Sequence, residues 1–169
     1  MGANTAAFIR LMNDPIRFRI FLFTKLPSAY FNGVRIREIT PGKAIVTIPY
    51  KWFSRNPFRS TYFASLSMAA EMSTGALAMA HLYQHDPPVS MLVTKVESEY
   101  FKKATDRTSF ECSDGEQLKQ TIAKAVSTNE PQSFRAKSVG TNEKGEKVAE
   151  FYVTWGFKAK NTNQASISG

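Results

Sequence analysis

A nearly uncharged run of residues from Ser60 to Ala80 constrains the fold more than any other part of the chain. Glu71 is its only formally charged side chain, and small or apolar residues surround it. A helix that is apolar on every side belongs in the interior of a protein or in a membrane. Hydroxyl residues flank Glu71, and no second apolar run of this length follows. We therefore predict one long core helix, at about residues 61–83, inside a soluble domain.

The position of Glu71 within this run needs an explanation. Burying a lone carboxylate costs several kcal/mol unless the group is paired or kept neutral. In one interpretation, nearby hydroxyl or backbone groups bond to the carboxylate where the helix packs. In the other, apolar walls raise its pKa toward the range of a general base, or leave a poorly hydrated nucleophile. The residues alone leave both interpretations open.

The composition fits one domain without a bound metal. A chain of 169 residues, 43% of them hydrophobic, can form one proper core. Cys112 is the only cysteine, which excludes an internal disulfide and a cysteine-based metal cluster and indicates a reducing compartment. His81 and His85 have no third ligand nearby, so they predict a cationic helix end rather than a metal site. We expect no metal, no cofactor and, since no signal peptide is recognisable, a cytoplasmic location.

The net charge of +8 lies entirely in the first part of the chain. Residues 1–60 carry ten Lys and Arg against two Asp and Glu, whereas residues 61–169 carry twelve of each sign. Such an excess indicates either an anionic partner, such as phosphate, nucleic acid or a lipid headgroup, or a solvated surface. Because no RNA-binding or DNA-binding motif accompanies it, we expect no nucleic-acid partner.

Two short helices are predicted near the N-terminus. Apolar residues recur at three- and four-residue steps between Ala6 and Phe23, and Asp14-Pro15 interrupts the pattern. Arginines among these apolar residues make the segment basic and amphipathic, so it could make a weak contact with a membrane surface. We expect instead that residues 1–30 form a helical extension that caps the rest of the domain.

The remaining pattern predicts an α+β fold. A strand pair precedes the core helix, and four strands with a minor helix near residue 115 follow it. The predicted strands are 31–39, 43–49, 89–101, 106–112, 132–139 and 148–158. Hairpin connections and one buried helix indicate an antiparallel sheet wrapped around that helix. This domain would span residues 31–160, and the polar residues 161–169 would form a flexible tail.

Two motifs carry a resemblance to a known family. One is Asn56-Pro57-Phe58-Arg59-Ser60-Thr61-Tyr62-Phe63-Ala64 leading into Ala69-Ala70-Glu71, and the other runs from Val89 to Glu99-Tyr100-Phe101-Lys102-Lys103-Ala104. Over about residues 31–158 the chain resembles the hotdog-fold thioesterase superfamily, in a sub-branch catalogued as a domain of unknown function. The resemblance implies a hotdog fold, an acyl-CoA or acyl-carrier thioester substrate, and a homodimer or tetramer.

The resemblance also implies roles for individual residues. In hotdog acyl-CoA thioesterases, an Asp or Glu of the buried helix acts as base or nucleophile. The helix N-terminus donates a backbone N–H to the thioester oxygen, and a loop side chain orients water or substrate. By position, Glu71 would be the carboxylate, Phe63 would supply the N–H and Asn56 the loop amide. The side chains expected to bind substrate are Arg59, Ser60, Thr61, Tyr62, Ser67, Thr74, Lys102 and Lys103.

The chain departs from the family pattern at three places. Tyr62 stands where many members have His, Phe63-Ala64 replaces the common Gly-Gly, and Gly75 stands where some members have Thr. The alternative function is therefore a non-catalytic hotdog module that binds an acyl chain or another apolar ligand. A hotdog dehydratase would need a His near the start of the core helix, and the sequence has none there.

Overall fold

The computed structural model describes residues 2–160, which form five α-helices and six β-strands. The helices are α1 (Ala3–Asn13), α2 (Pro15–Lys25), α3 (Pro27–Asn32), α4 (Phe63–Leu82) and α5 (Gly115–Thr128). The strands are β1 (Arg35–Ile39), β2 (Ala44–Ile48), β3 (Val89–Tyr100), β4 (Thr108–Cys112), β5 (Gln132–Thr141) and β6 (Lys147–Ala159). The tail predicted for residues 161–169 lies outside the described residues. None of the helices within 2–160 is long and apolar enough to cross a membrane.

The strands form one antiparallel sheet in the order β1-β2-β4-β5-β6-β3. Helix α4 lies against this sheet and contacts most of its strands, while α1, α3 and α5 pack on its other sides. Because α4 is enclosed in this way, it has no wide polar face, which explains its nearly continuous apolar sequence. The predicted α+β fold, a sheet wrapped around one long helix, is confirmed.

The two predicted N-terminal helices are also present. The Asp14 carboxylate caps α2 by accepting the backbone N–H groups of Ile16 at 3.0 Å and Arg17 at 3.1 Å, and Pro15 occupies the first helical position. On their inner faces, α1 and α2 contribute four buried side chains to the main core: Phe8, Met12, Phe18 and Leu22. The N-terminal helices therefore pack on the domain as part of its core.

The first strand begins later than the sequence predicts. Residues 31–32 belong to α3, because Pro27 starts a helix instead of ending the helical pattern, as proline does at a first helical position. Gly33 ends α3 with a φ of +79°, a left-handed conformation that glycine adopts at helix ends. Strand β1 then starts at Arg35. The predicted strand from residue 31 is thus corrected.

Candidate active site

Glu71 lies in the middle of α4 and lines an apolar cavity of about 310 Å³. The walls include aromatic and aliphatic side chains of α1, α2, β3 and β6: Phe8, Met12, Phe18, Met91 and Trp155. The Glu71 side chain is half-buried, whereas its neighbours Ala70 and Met72 are buried. The carboxylate is therefore the charged group in an otherwise apolar wall.

The environment of Glu71 is that of an unpaired carboxyl group. No described residue donates a hydrogen bond to this carboxylate or forms an ion pair with it, and burial raises its pKa above the ordinary value. The hydroxyl of Thr74 donates to the Glu71 backbone carbonyl at 2.9 Å and accepts a hydrogen bond from Trp155 Nε1 at 3.0 Å. The Thr74 hydroxyl thus links α4 to β6, and this arrangement favours the second interpretation, a carboxylate with a raised pKa.

Gly75 keeps space open beside the carboxylate. It lies one turn after Glu71, and a Cβ atom there would approach Glu71 Oε1 to 3.3 Å and Trp155 Cζ2 to 3.0 Å. Such distances are short for contacts of a Cβ atom, so any larger residue would displace the Trp155 indole and the Glu71 carboxylate. The departure from the family pattern at this position therefore leaves room at the carboxylate.

A second, larger cavity lies at the N-terminus of α4, with a volume of about 830 Å³. Its walls are the loop before α4, the first turn of that helix and the segment after β3. Seven residues that the sequence assigns to the site line it: Asn56, Ser60, Thr61, Tyr62, Phe63, Lys102 and Lys103. Arg59 belongs to the same loop and has a φ of +57°, but it does not line this cavity.

The loop before α4 is shaped by Asn56. Its Oδ1 accepts the backbone N–H of Phe58 at 3.0 Å and that of Ser60 at 3.2 Å, and its Nδ2 donates to Ser60 Oγ at 3.1 Å. The N–H and the hydroxyl of Thr61 donate to the carbonyl of Ala104 at 2.8 and 3.2 Å, which joins the loop to the end of β3. In this state the Asn56 amide is engaged within its own loop.

The backbone N–H of Phe63 lies at this cavity and has no hydrogen-bond acceptor among residues 2–160. It starts α4, and the first N–H groups of a helix have no carbonyl partner within the helix. Tyr62, the residue before it, provides no side-chain cap. The uncapped helix N-terminus can therefore stabilise a negative oxygen of a bound molecule.

The two cavities are separated along α4 but joined by one row of side chains. Phe63, Ser67 and Glu71 follow each other at four-residue steps, so they lie on one face of the helix. Phe63 and Glu71 are about 12 Å apart along the helix axis. Within one chain, Asn56 and the Phe63 N–H share a cavity, Glu71 lines the other, and Ser67 lies half-buried between them.

Sequence reasoning did not identify which residues form the apolar walls around Glu71. Phe8 and Trp155 are distant from it in sequence, and their place in the cavity follows from the docking of α1 and β6. The sequence offered one signal of the space beside Glu71, the departure from the family pattern at Gly75. Its four-residue spacing from Glu71 places Gly75 on the same helix face.

The predicted cationic helix end at His81 is wrong. His81 Nε2 donates to the carbonyl oxygen of Pro41 at 3.0 Å, and burial lowers the pKa of this imidazole. A neutral ring is therefore the stable form near neutral pH. Among residues 2–160, no group of three or more His, Cys, Asp or Glu side chains is placed to hold a metal ion.

Several solved structures share this architecture. A protein of unknown function from Pseudomonas aeruginosa has a TM-score of 0.74 and 20% identity, with 89% of this chain and 99% of that chain covered. A thioesterase family protein from Silicibacter pomeroyi has a TM-score of 0.63 and 15% identity, covering 92% and 99%. A thioesterase from Haemophilus influenzae has a TM-score of 0.60 and 10% identity, covering 83% and 88%. Identities this low show the fold alone.

The sheet wrapped around α4, together with these likenesses, defines a hotdog fold. Comparison with curated proteins gave no match. Residues 17–156 match the family described as Domain of unknown function (DUF4442), and the chain belongs to this family. The resemblance that the two sequence motifs carry is confirmed.

Proposed function

We propose that the protein hydrolyses acyl thioesters, with coenzyme A or an acyl carrier as the thiol part, in the cytoplasm. The observation that carries the proposal is the unpaired Glu71 carboxylate in the wall of an apolar cavity. An apolar cavity suits an acyl chain, and a carboxylate with a raised pKa suits an attack on the carbonyl carbon or the activation of water. The described relatives that carry the name thioesterase share the fold and support this class of reaction.

The proposed reaction uses the face of α4 that joins the two cavities. The acyl chain enters the cavity beside Glu71. Because Glu71 and Phe63 of one chain are about 12 Å apart along the helix, the N–H that stabilises the developing oxyanion beside Glu71 would come from Phe63 of the partner subunit. As a base, Glu71 removes a proton from the attacking water; as a nucleophile, it forms an anhydride that water then hydrolyses. In both routes the C–S bond breaks, the thiolate takes up a proton, and a carboxylic acid is released.

The remaining site residues would hold the thiol part of the substrate. Lys102 and Lys103 line the cavity at the N-terminus of α4, where Lys102 also forms an ion pair with Glu146. Arg59 lies in the loop before this helix and does not line the cavity. These cations suit the phosphate groups of coenzyme A or of a carrier's pantetheine arm. Ser60, Thr61, Tyr62, Ser67 and Thr74 remain proposed substrate contacts. Thr74 would require rearrangement to contact substrate, because its hydroxyl is bonded to Trp155.

We further propose that the protein acts as a homodimer, or as a tetramer built from dimers. Strand β3 lies at the end of the sheet and pairs only with β6 within the described residues. It also exposes apolar side chains, with Leu92 68% and Val96 48% exposed. A long edge strand with exposed apolar side chains is a template for pairing with another strand.

A second candidate function is a module that binds an acyl chain without cleaving it. Two observations favour it: the Asn56 amide is engaged within its own loop, and Glu71 and Asn56 line different cavities of one chain. In that case the cavity would bind the chain while no hydrolysis followed.

A panel of acyl-CoA substrates of increasing chain length, with released thiol as the readout, separates the two functions. A cavity of about 310 Å³ is at the small end of ligand sites, so we expect the highest kcat/KM for short and medium chains. Binding of acyl-CoA without any released thiol across the panel would identify a binding module and refute the enzyme.

A further inference from the structure

A third cavity lies between α2, the end of α3 and strands β1 and β2, and encloses about 440 Å³. Five cationic side chains line this basic cavity: Arg19, Arg35, Arg37, Lys51 and Arg107. No Asp or Glu is among the described residues that line it, and it shares no lining residue with either cavity of the candidate active site. Four of the ten basic residues in the first 60 therefore meet at this cavity, together with Arg107.

These cations are held in position without being neutralised. Within residues 2–160, Arg107 is the one with an ion pair, an exposed contact of 3.5 Å with Glu143. Arg37 Nε donates to Thr47 Oγ1 at 3.1 Å, a neutral acceptor. The Arg19 guanidinium lies 4.4 Å from the centre of the Tyr30 ring, which orients it but carries no charge. The cavity thus keeps most of its positive charge for a ligand.

The end of α3 brings a further cation close to the backbone. A Cβ atom at Gly33 would lie 2.7 Å from Lys51 Nζ and 3.1 Å from Pro49 Cγ. Glycine at this position therefore serves two purposes, since it also adopts the left-handed φ of +79° that ends α3. Any other residue would displace the Lys51 ammonium from the cavity wall.

We propose that the basic cavity binds a small molecule that carries clustered phosphate groups. Several like charges in one concave site repel each other, and a polyanion offsets this repulsion better than a single monovalent ion does. Guanidinium groups bind phosphate oxygens through two parallel hydrogen bonds, and four of the five cations are arginines. A volume of about 440 Å³ lies in the range of small-molecule sites. This site does not depend on thioester hydrolysis.

Titration calorimetry with pyrophosphate and with adenosine 3′,5′-bisphosphate tests the proposal on the full chain. Loss of a charge-assisted hydrogen bond weakens binding by roughly tenfold or more. We therefore expect the double variant Arg35→Gln/Arg37→Gln to bind both probes at least tenfold more weakly. The double variant Lys119→Gln/Lys124→Gln removes the same charge from exposed positions of α5, outside the cavity, and should keep the parent affinity. Thermal melting verifies that each variant is folded. If Arg35→Gln/Arg37→Gln unfolds, Lys51→Gln replaces it in the test.

Two sources of the phosphate groups can be separated with acyl-CoA. If they belong to coenzyme A, Arg35→Gln/Arg37→Gln raises KM for acyl-CoA and leaves kcat unchanged. If they belong to a separate nucleotide, KM stays constant while binding of the bisphosphate falls. The proposal is overturned if the parent binds neither probe, if both double variants lose affinity equally, or if the cavity variants lose binding only to anionic lipid vesicles.

Discussion

At the scale of single residues, the catalytic role proposed for Glu71 predicts how activity should depend on pH. Burial raises its pKa, so more of this group is protonated near neutral pH than is usual for Glu. A base or nucleophile must be deprotonated, and the rate should rise with pH through an apparent pKa above that of an ordinary Glu. A pH profile of kcat/KM checks this. A rate that is already independent of pH above the ordinary range of Glu would contradict the assignment.

The raised pKa of Glu71 should also make stability depend on pH, with stability falling as pH rises while activity rises. A carboxyl whose folded-state pKa is raised holds its proton more tightly in the folded state. Its contribution to the free energy of unfolding is therefore fully present below the unfolded-state pKa and is lost as pH rises through the folded-state pKa. Replacement by a neutral side chain removes this loss, so the difference in melting temperature between variant and parent should grow with pH across that window.

Cys112 provides a test of the core that is independent of function. Its side chain is fully buried in β4, and burial raises the pKa of the thiol to about 12. Since the thiolate is the reactive form, the folded protein should not react with a disulfide reagent, and one thiol should react after denaturation. Rapid reaction of the native protein would show that β4 is placed wrongly.

At the scale of elements, we propose that the N-terminal helices act as a cap on the domain. Phe8 of α1 is 6% exposed and lines the cavity of Glu71, whereas Phe23 of α2 is 57% exposed. Phe8→Ala should lower the free energy of unfolding by about 3–5 kcal/mol, the usual loss for a buried Phe. Phe23→Ala, the matched control, should cost at most about 1.5 kcal/mol, for its edge-on contact with Tyr30. Denaturant unfolding measures both.

The alternative for these helices is contact with a membrane surface. Helix α2 exposes one basic side chain, Arg17, and two apolar ones, Ile20 and Phe23, as an interfacial helix requires. Such binding would be salt-sensitive. Cosedimentation of the parent with anionic vesicles at low salt, reduced by Phe23→Ala but not by Phe8→Ala, would show that the helices are more than a cap.

The elements that could be predicted from sequence are those specified by local pattern. Helix α4 was expected at about residues 61–83 and spans Phe63–Leu82. It could be predicted because a nearly uncharged apolar run indicates a buried helix whatever packs around it. Helix α3 was missed because a proline can break a helix or begin one, and only the following Gly33 distinguishes the two.

The candidate site also has one part that local sequence pattern predicts and one part that it does not. Asn56 and Phe63 lie together because a few residues of loop connect them, and this spacing can be read in the sequence. Trp155 reaches Thr74 from β6, 81 residues away, and Phe8 reaches the cavity from α1. Long-range packing of this kind leaves no local pattern, so the residues that form the apolar walls around Glu71 could not be identified from the sequence.

At the scale of the whole molecule, assembly should depend on the free edge of β3. We expect a sedimentation mass of at least twice the chain mass of 18.9 kDa at micromolar concentration. Leu92→Lys places a charge on this edge strand and should favour the monomer, because edge charges oppose strand pairing. Ile16→Lys alters a residue of α2 that is 71% exposed and serves as the control. A parent mass near that of one chain would exclude the dimer and, with it, a site that combines residues of two chains.

The central claim is that Glu71 performs chemistry and does not serve as a structural acceptor. The substitution Glu71→Gln keeps the volume and removes the charge, and exposed Glu130→Gln is the matched control. Turnover of acyl-CoA should fall by orders of magnitude, because neither attack nor proton removal remains possible. Stability should hold or rise, since a desolvated charge is removed.

The decisive measurement is turnover of Glu71→Gln compared with its free energy of unfolding. We expect lost turnover in a protein at least as stable as the parent. A structural acceptor would give the reverse: a loss of about 1–3 kcal/mol of stability, with thioesterase activity reduced only in proportion to unfolding. A well-folded Glu71→Gln variant that cleaves thioesters at the parent rate would contradict the catalytic assignment.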